Sequence, residues 1–324
     1  MHQIIKVGVD ADGGDNGPKV VIEGIEMTMD QLPNVKIVVF SKDDLSELTE
    51  EYPGRVNQVM ARDIVTMSDS PVTVRSKPSS SIVMACKSQE VDAVLSIGNT
   101  GAAMFAASTI IKRIRGVDRA ALATVVPGLK HSVLLDVGAN VECKPSYFPQ
   151  FAAMGAAYAE IVLGRKNPTI GLLNIGEEEA KGNEFVKEVY KLMENIPCFV
   201  GNVQGGDVPR GATDVTIADG FLGNVELKAM EGSSEAVIEM IRRDTASSLF
   251  AKFCYLPVAW RLRRLGKSIS RQLYGGAPLL GVRKPFLIGH GSSTSLAVAN
   301  GIRIAAECVR YDLPRQIEKR LPSS

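Results

Sequence analysis

Asn99, Thr100 and Gly101 follow directly on the apolar stretch DAVLSI and Gly98, and lead into the small helix formers AAMFAAS. A strand that ends in such a turn and opens a helix brings free backbone N–H groups, the helix dipole and a hydroxyl to one point, which favours an anion. One turn of this kind is more often an ordinary connector with Asn or Thr as N-cap. Here the pattern recurs. Asp10, Gly13, Gly14, Asp15 and Asn16 follow the first apolar run, and Asp136, Gly138, Ala139 and Asn140 follow HSVLL. Asn174, Gly176, Glu177, Lys181 and Gly182 close another run, Asp219, Gly220 and Asn224 the next, and His290, Gly291, Ser292 and Ser293 the last. The segment VRSKPSSS adds Arg75 and Lys77, either as a phosphate cradle or as the solvated start of a helix. In open parallel sheets ligands bind outside the carboxyl ends of the strands, so six such turns predict a cleft along one edge. Glycines let a ligand approach the backbone, while Asn, Thr and Ser bind oxyanions without a formal charge.

Other chemistries lack their residues. G-x-x-x-x-G-K-[ST] is absent, no G-x-G-x-x-G follows the first strand, and G-x-S-x-G does not occur. Five cysteines, an odd number with no C-x-x-C pair, read as reduced core thiols, with Cys143 the one beside a Gly-rich turn. Three distant histidines give no metal-ligand spacing, so neither a metal nor a cofactor is expected. What remains is a site that binds phosphate and stabilises a developing oxyanion without a covalent nucleophile. Lys181, His290 and Asn140 are the candidate donors.

Positioning such turns requires strands in alternation with helices. Short apolar runs and helical patterns alternate along all 324 residues, 45% apolar and 23% charged, which predicts a largely parallel sheet covered by helices on both faces. A single α/β/α domain over 1–324 accommodates them, with a helical hairpin inserted at about 235–275. The N-terminus has no signal-peptide layout and no run is long enough to span a membrane, which points to the cytoplasm. The net charge of +1 hides a segment, Thr245 to Ala306, with nine cations and no acid. Within it Leu262, Leu265 and Ile269 form an apolar stripe beside Trp260 and flanking arginines, the composition of a surface that lies on anionic lipid. A dimer-packing hairpin with solvated cations is the plainer reading of the same residues. Nothing points to nucleic acid.

The runs VDADGGDNGP, SIGNTGA, LLDVGANVECKP, NIGEEEAKGN, DVTIADGFLGNVELKAMEG, GGAPLLGV and GHGSS, in this order, resemble the PlsX family of phosphate acyltransferases of bacterial phospholipid synthesis. The resemblance covers nearly the whole chain. It implies a Rossmann-like three-layer α/β/α fold similar to the phosphate acetyltransferases and isocitrate dehydrogenases, and a homodimer. The implied reaction moves a fatty acyl group from acyl carrier protein to inorganic phosphate, and a membrane acyltransferase uses the product. Phosphate would sit at Asn99, Thr100 and Gly101. Asp12, Gln204, Gly206, Arg283 and Lys284 depart from the family's usual residues. A short-chain acyl-CoA:phosphate acyltransferase and a non-catalytic carrier-protein or membrane scaffold are the alternatives. The cationic insertion argues against the first and the retained polar turns against the second.

Overall fold

The computed structural model describes residues 3–246 and 275–322. Its strands are β1 (Ile5–Asp10), β2 (Val35–Ser41), β3 (Val56–Met60), β4 (Ala93–Ser96), β5 (Ala121–Val126) and β6 (Ser132–Leu135). They continue with β7 (Ile170–Leu173), β8 (Phe199–Val203), β9 (Val215–Ile217), β10 (Ala277–Leu280) and β11 (Phe286–Ile288). The helices are α1 (Gly17–Gln31), α2 (Ser46–Glu51), α3 (Ser81–Lys87), α4 (Thr100–Ala106) and α5 (Phe148–Leu163). After them come α6 (Glu184–Met193), α7 (Gly220–Ala246), α8 (Ser295–Arg310) and α9 (Leu313–Glu318).

Eleven strands join in the order β3-β2-β1-β4-β11-β10-β5-β6-β9-β7-β8. Continuous apolar runs such as AVLS and SVLL are buried at every position because helices cover both faces. On one face α1 packs against α8 so closely that a Cβ at Gly24 would lie 2.6 Å from Val298. Helix α5 buries residues around most of its circumference and stops at Gly164, which takes the left-handed conformation of a C-terminal cap.

Strand sense decides where the turns go. β1, β2, β3, β4 and β11 run parallel to one another, as do β6, β9, β7 and β8. Between the two sets, β10 is antiparallel to both β11 and β5, and β5 is antiparallel to β6. Three antiparallel steps reverse the sense, so the two parallel sets point their carboxyl ends at opposite edges of the sheet.

Three strands escape the sequence pattern: ALATVV (β5), FVGNV (β8) and APLL (β10) lack alternation. The apolar run AAMFAASTIIKRI that opens at the Asn99 turn is not one α-helix throughout. The α-helix ends at Ala106, Ala107–Ile111 widens to a π turn with Thr109 Oγ1 bonded back to Phe105 O at 2.7 Å, and Lys112 at φ 71° stops it. Of the hairpin expected at about 235–275, residues 235–246 continue the helix that began at Gly220. Trp260, Leu262, Leu265 and Ile269 lie outside the described residues. No helix among the described residues is long and apolar enough to cross a membrane.

Candidate active site

The six polar turns form two groups of three, not one row. Those after β1, β4 and β11 share one edge, those after β6, β7 and β9 the other. The expectation of a single edge is corrected by the antiparallel β10 and β5, which no local pattern announces.

In the first group, Asn99 caps α4 and anchors a loop. Its Oδ1 accepts the Ala102 N–H at 3.0 Å, and its Nδ2 donates to Thr66 O, Met67 O and Asp69 O at 3.1, 3.1 and 2.8 Å. Lys77 closes the same loop through Ile64 O and Asp69, both at 2.8 Å. Arg75 lies over the Phe105 ring, 5.1 Å from its centre. Arg75 and Lys77 therefore brace the loop over the turn. Gly13, at φ +84°, passes so close that a Cβ would lie 2.7 Å from Val65 O. Gly14 touches Ile97, the Asp15 N–H donates to Gly291 O at 2.8 Å, and Asn16 Nδ2 reaches Ser293 O at 3.3 Å. These contacts gather the starts of α1, α4 and α8. His290 stands exposed among them. Its Nδ1 lies 2.8 Å from Ser292 Oγ and accepts the Ser292 N–H at 3.2 Å, so the neutral ring carries its proton on Nε2. Thr294 caps α8, which frees His290 from that role.

Asp10 ends β1 beneath this group and is 2% exposed. Ser96 Oγ, its partner across the strand pair, lies 2.6 Å from Oδ2. Burial raises the Asp10 carboxyl to about 7, the Asp12 carboxylate adds to the rise, and the Ser81 and Ser96 hydroxyls oppose it. Asp10 is thus a buried support under the turn. Asp12 accepts from Ser41 Oγ at 2.9 Å and the Lys42 N–H at 2.8 Å, tying the loop to the end of β2.

The raised pKa has a stability consequence. A folded-state value of about 7 against 3.8 means the folded chain holds this proton longer than the unfolded one. Stability from this group is therefore highest below about pH 4 and declines through pH 7, by a total on the order of 4 kcal/mol. Asp10→Asn removes the titration. The stability of the parent relative to this variant, from urea midpoints, is expected to fall between pH 4 and pH 8; a constant difference would mean that Asp10 ionises normally.

In the second group, Asp136 is fully buried and its carboxylate accepts four backbone N–H groups and the Asn140 side chain. Asn140 donates its amide to Ala120 O and Asp136 Oδ2, each at 2.8 Å. Both amide protons are engaged in this way. Gly138 faces Asn224 across the start of α7, and Asp219 Oδ1 accepts the Leu222 N–H at 2.8 Å as that helix begins. Asn174, also expected to touch substrate, is buried and fastens its turn, donating to Lys181 O at 3.2 Å and accepting the Ile175 N–H at 2.8 Å. Lys181 is exposed, with its stem against Gly176, where a Cβ would meet Lys181 Cγ at 3.0 Å. Among the described residues its ammonium pairs with no carboxylate.

Two residues of this group had no role assigned from the sequence. Gln204 Nε2 donates to Glu177 Oε1 at 3.3 Å, so one of the residues that depart from the resemblance contacts Glu177. Glu226, on α7, crowds Gly205, and burial raises its carboxyl. The run GNVQGGD carried the signal for the first; helix periodicity hid the second.

Cys143 is half-buried, its Sγ donates to Asn140 O at 3.4 Å, and burial pushes the thiol up to about 11. Such a thiol is a poor nucleophile. Cys143→Ser should keep the rate of product formation within a few-fold of the parent; a loss of about a thousand-fold with the fold intact would establish an acyl-enzyme.

Comparison with known proteins adds the family. Residues 5–316 match the family described as "Fatty acid synthesis protein". The phosphate acyltransferase of Desulfitobacterium hafniense strain Y51 is 41% identical over 328 residues, covering 98% of each chain. That of Desulforudis audaxviator is 42% identical over 315 residues, covering 95% of this chain and 94% of its own. In fold, the chain is similar to a phosphotransacetylase from Streptococcus pyogenes, with TM-score 0.58, 15% identity and 94% of each chain covered. A branched-chain phosphotransacylase from Enterococcus faecalis gives 0.56 at 14% identity, over 94% of this chain and 98% of that one. At that identity the last two speak for the α/β fold with its mixed, mostly parallel sheet. Matched nearly end to end, the chain belongs to the fatty acid synthesis protein family, that of the phosphate acyltransferases.

Proposed function

We propose that this phosphate acyltransferase takes a fatty acyl group from acyl carrier protein and passes it to inorganic phosphate, giving acyl phosphate for phospholipid synthesis. The observation that supports this best is the meeting of three helix starts, those of α1, α4 and α8, beside His290. Backbone N–H groups and helix dipoles suit a phosphate there without a formal charge. Phosphate at the Asn99–Thr100–Gly101 turn attacks the thioester carbonyl: an oxygen of hydrogen phosphate bonds to the acyl carbon, the C–S bond breaks, and the carrier's thiolate leaves and takes the proton that the phosphate gives up. Phosphate is already a nucleophile at neutral pH, so proximity does much of the work. Nε2–H of His290 or the Lys181 ammonium stabilises the tetrahedral oxyanion.

Lys181 belongs to the other edge, and the sheet's twist is what would bring it into play. Six strand steps separate β4 from β7, and about 20–25° of twist per step turns one half by well over a right angle against the other. A substrate lying between the halves can then meet both groups. A homodimer, with Trp260, Leu262, Leu265 and Ile269 holding it on the inner face of an anionic membrane near the downstream membrane acyltransferase, completes the proposal.

Purified protein given phosphate and long-chain acyl carrier protein is expected to form acyl phosphate. Product from short-chain acyl-CoA alone would favour that donor, and no product from either would leave a scaffold. Crystals soaked in phosphate or sulfate should show an anion within hydrogen-bond reach of the Asn99–Gly101 turn; an anion elsewhere in the cleft, with this turn empty, would overturn the assignment.

A further inference from the structure

Five exposed cations on two segments distant in sequence come together beside the second group of turns. Lys112, Arg113, Arg115 and Arg119 lie on the loop that leads into β5, and Arg283 lies in the turn between β10 and β11. Arg113 and Val282 form an antiparallel bridge, the Arg283 N–H donates to Lys112 O at 3.0 Å, and the Ile114 N–H donates to Gly281 O at 2.9 Å. Arg283 Nε donates to Arg113 O at 3.0 Å, and Arg113 Nη1 donates to Asp118 O. Two of the guanidinium groups are thus held by neutral carbonyls. None of the five cations forms a salt bridge with a described residue. The loop's single acid, Asp118, accepts from Gln150 Nε2 at 2.8 Å.

The patch adjoins the site. Asn140 Nδ2 bonds to Ala120 O, next to Arg119, and the Leu122 N–H bonds to Asp136 Oδ1 at 3.1 Å. Strand sense puts the start of β5 and the ends of β6, β9 and β7 on the same edge. The apolar residues of the two segments, Ile114, Val117 and Val282, all point inward and are buried. A surface that lies on lipid interleaves apolar or aromatic anchors with its cations; these two segments expose none of their own, and the exposed Val141, Ile175 and Phe221 belong to the adjoining turns.

We propose that Lys112, Arg113, Arg115, Arg119 and Arg283 form the docking surface for the acidic face of the acyl carrier protein, from which its flexible arm delivers the thioester to the adjoining turns. This rests on the carrier protein being the donor, as proposed above. Uncompensated cations at the rim of a site steer an acidic partner and raise its encounter rate, an effect that salt weakens.

The test compares two donors on the full-length protein. Lys112→Glu/Arg115→Glu reverses two cations for which no hydrogen bond through the side chain is described. With acyl carrier protein, kcat/KM is expected to fall about tenfold or more at low salt and to lose much of its salt dependence. With acyl-pantetheine, which carries the same thioester and no acidic protein, kcat/KM should be unchanged, as should the KM for phosphate. Equal losses with both donors, or a rise in the phosphate KM alone, would overturn the surface. So would weaker flotation with anionic vesicles at unchanged carrier-protein kinetics, because the patch would then be a membrane contact. If the parent turns over acyl-pantetheine and never acyl carrier protein, the donor assignment itself fails, a result visible before any variant is made.

Discussion

Lys181→Ala lowers the turnover of acyl phosphate formation by about 10²–10³-fold, the range seen on removing one preorganised oxyanion donor, and leaves the melting temperature nearly unchanged. The two halves of this expectation have separate causes. Lys181 is exposed, rests its stem on Gly176 and forms no ion pair with a described residue, so its removal takes little from packing. Its backbone carbonyl, which accepts from Asn174 Nδ2 at 3.2 Å, holds the turn and survives the substitution. The ammonium is another matter: a cation near a carbonyl that becomes an oxyanion acts on the transition state more than on the ground state. kcat should therefore fall with little change in KM, and Lys181→Arg should restore part of it by returning the charge. Initial rates at saturating donor and phosphate, beside a thermal melt, decide the matter. An unchanged rate with a lower melting temperature would make Lys181 structural.

Asp136→Ala is expected to cost on the order of 5 kcal/mol, a large share of the 5–15 kcal/mol that holds a domain together. The carboxylate accepts the N–H groups of Leu122 and Gly138 at 3.1 Å and of Ala139 and Asn140 at 2.8 Å, besides the Asn140 amide at 2.8 Å. Removing it orphans these donors, at about 1–3 kcal/mol for each one that stays buried. Burial raises this carboxyl above the ordinary carboxylate range, and the donors oppose the rise. Asp136→Asn keeps one acceptor but turns an amide donor towards other donors, so it should fall between parent and alanine variant. Urea midpoints or soluble yield measure the series. An alanine variant with the parent's midpoint would show that the turn holds its shape without the carboxylate. The same spot is tight from the other side: a Cβ at Gly223 would collide with Asp136 O.

Much of this molecule is local, and the local part is legible in the sequence. Asn99, Asn183 and Thr294 sit where N-caps belong, and each accepts a backbone N–H of its helix's first turn. The apolar strands ending in Gly-plus-polar turns follow from local pattern alone. The motifs that resemble the family were likewise legible, because each is a contiguous run.

What only the tertiary structure decided is relational. Whether six turns share one edge depends on the sense of each strand against its neighbour, and that is set by pairings such as Leu279 with Leu122, far apart in the chain. Two strands, β5 and β10, reverse the sense and split the turns into two groups; nothing in ALATVV or APLL announces it. The same holds for individual side chains. Lys77 and Asn140 read from the sequence as anion donors, and only the fold shows Asp69 2.8 Å from the Lys77 ammonium and Ala120 O and Asp136 against the Asn140 amide. Residue type and spacing determine which groups could bind an anion. Which of them remain available depends on hydrogen bonds closed by distant backbone, because a buried or crowded polar group is driven to find a partner wherever the fold supplies one.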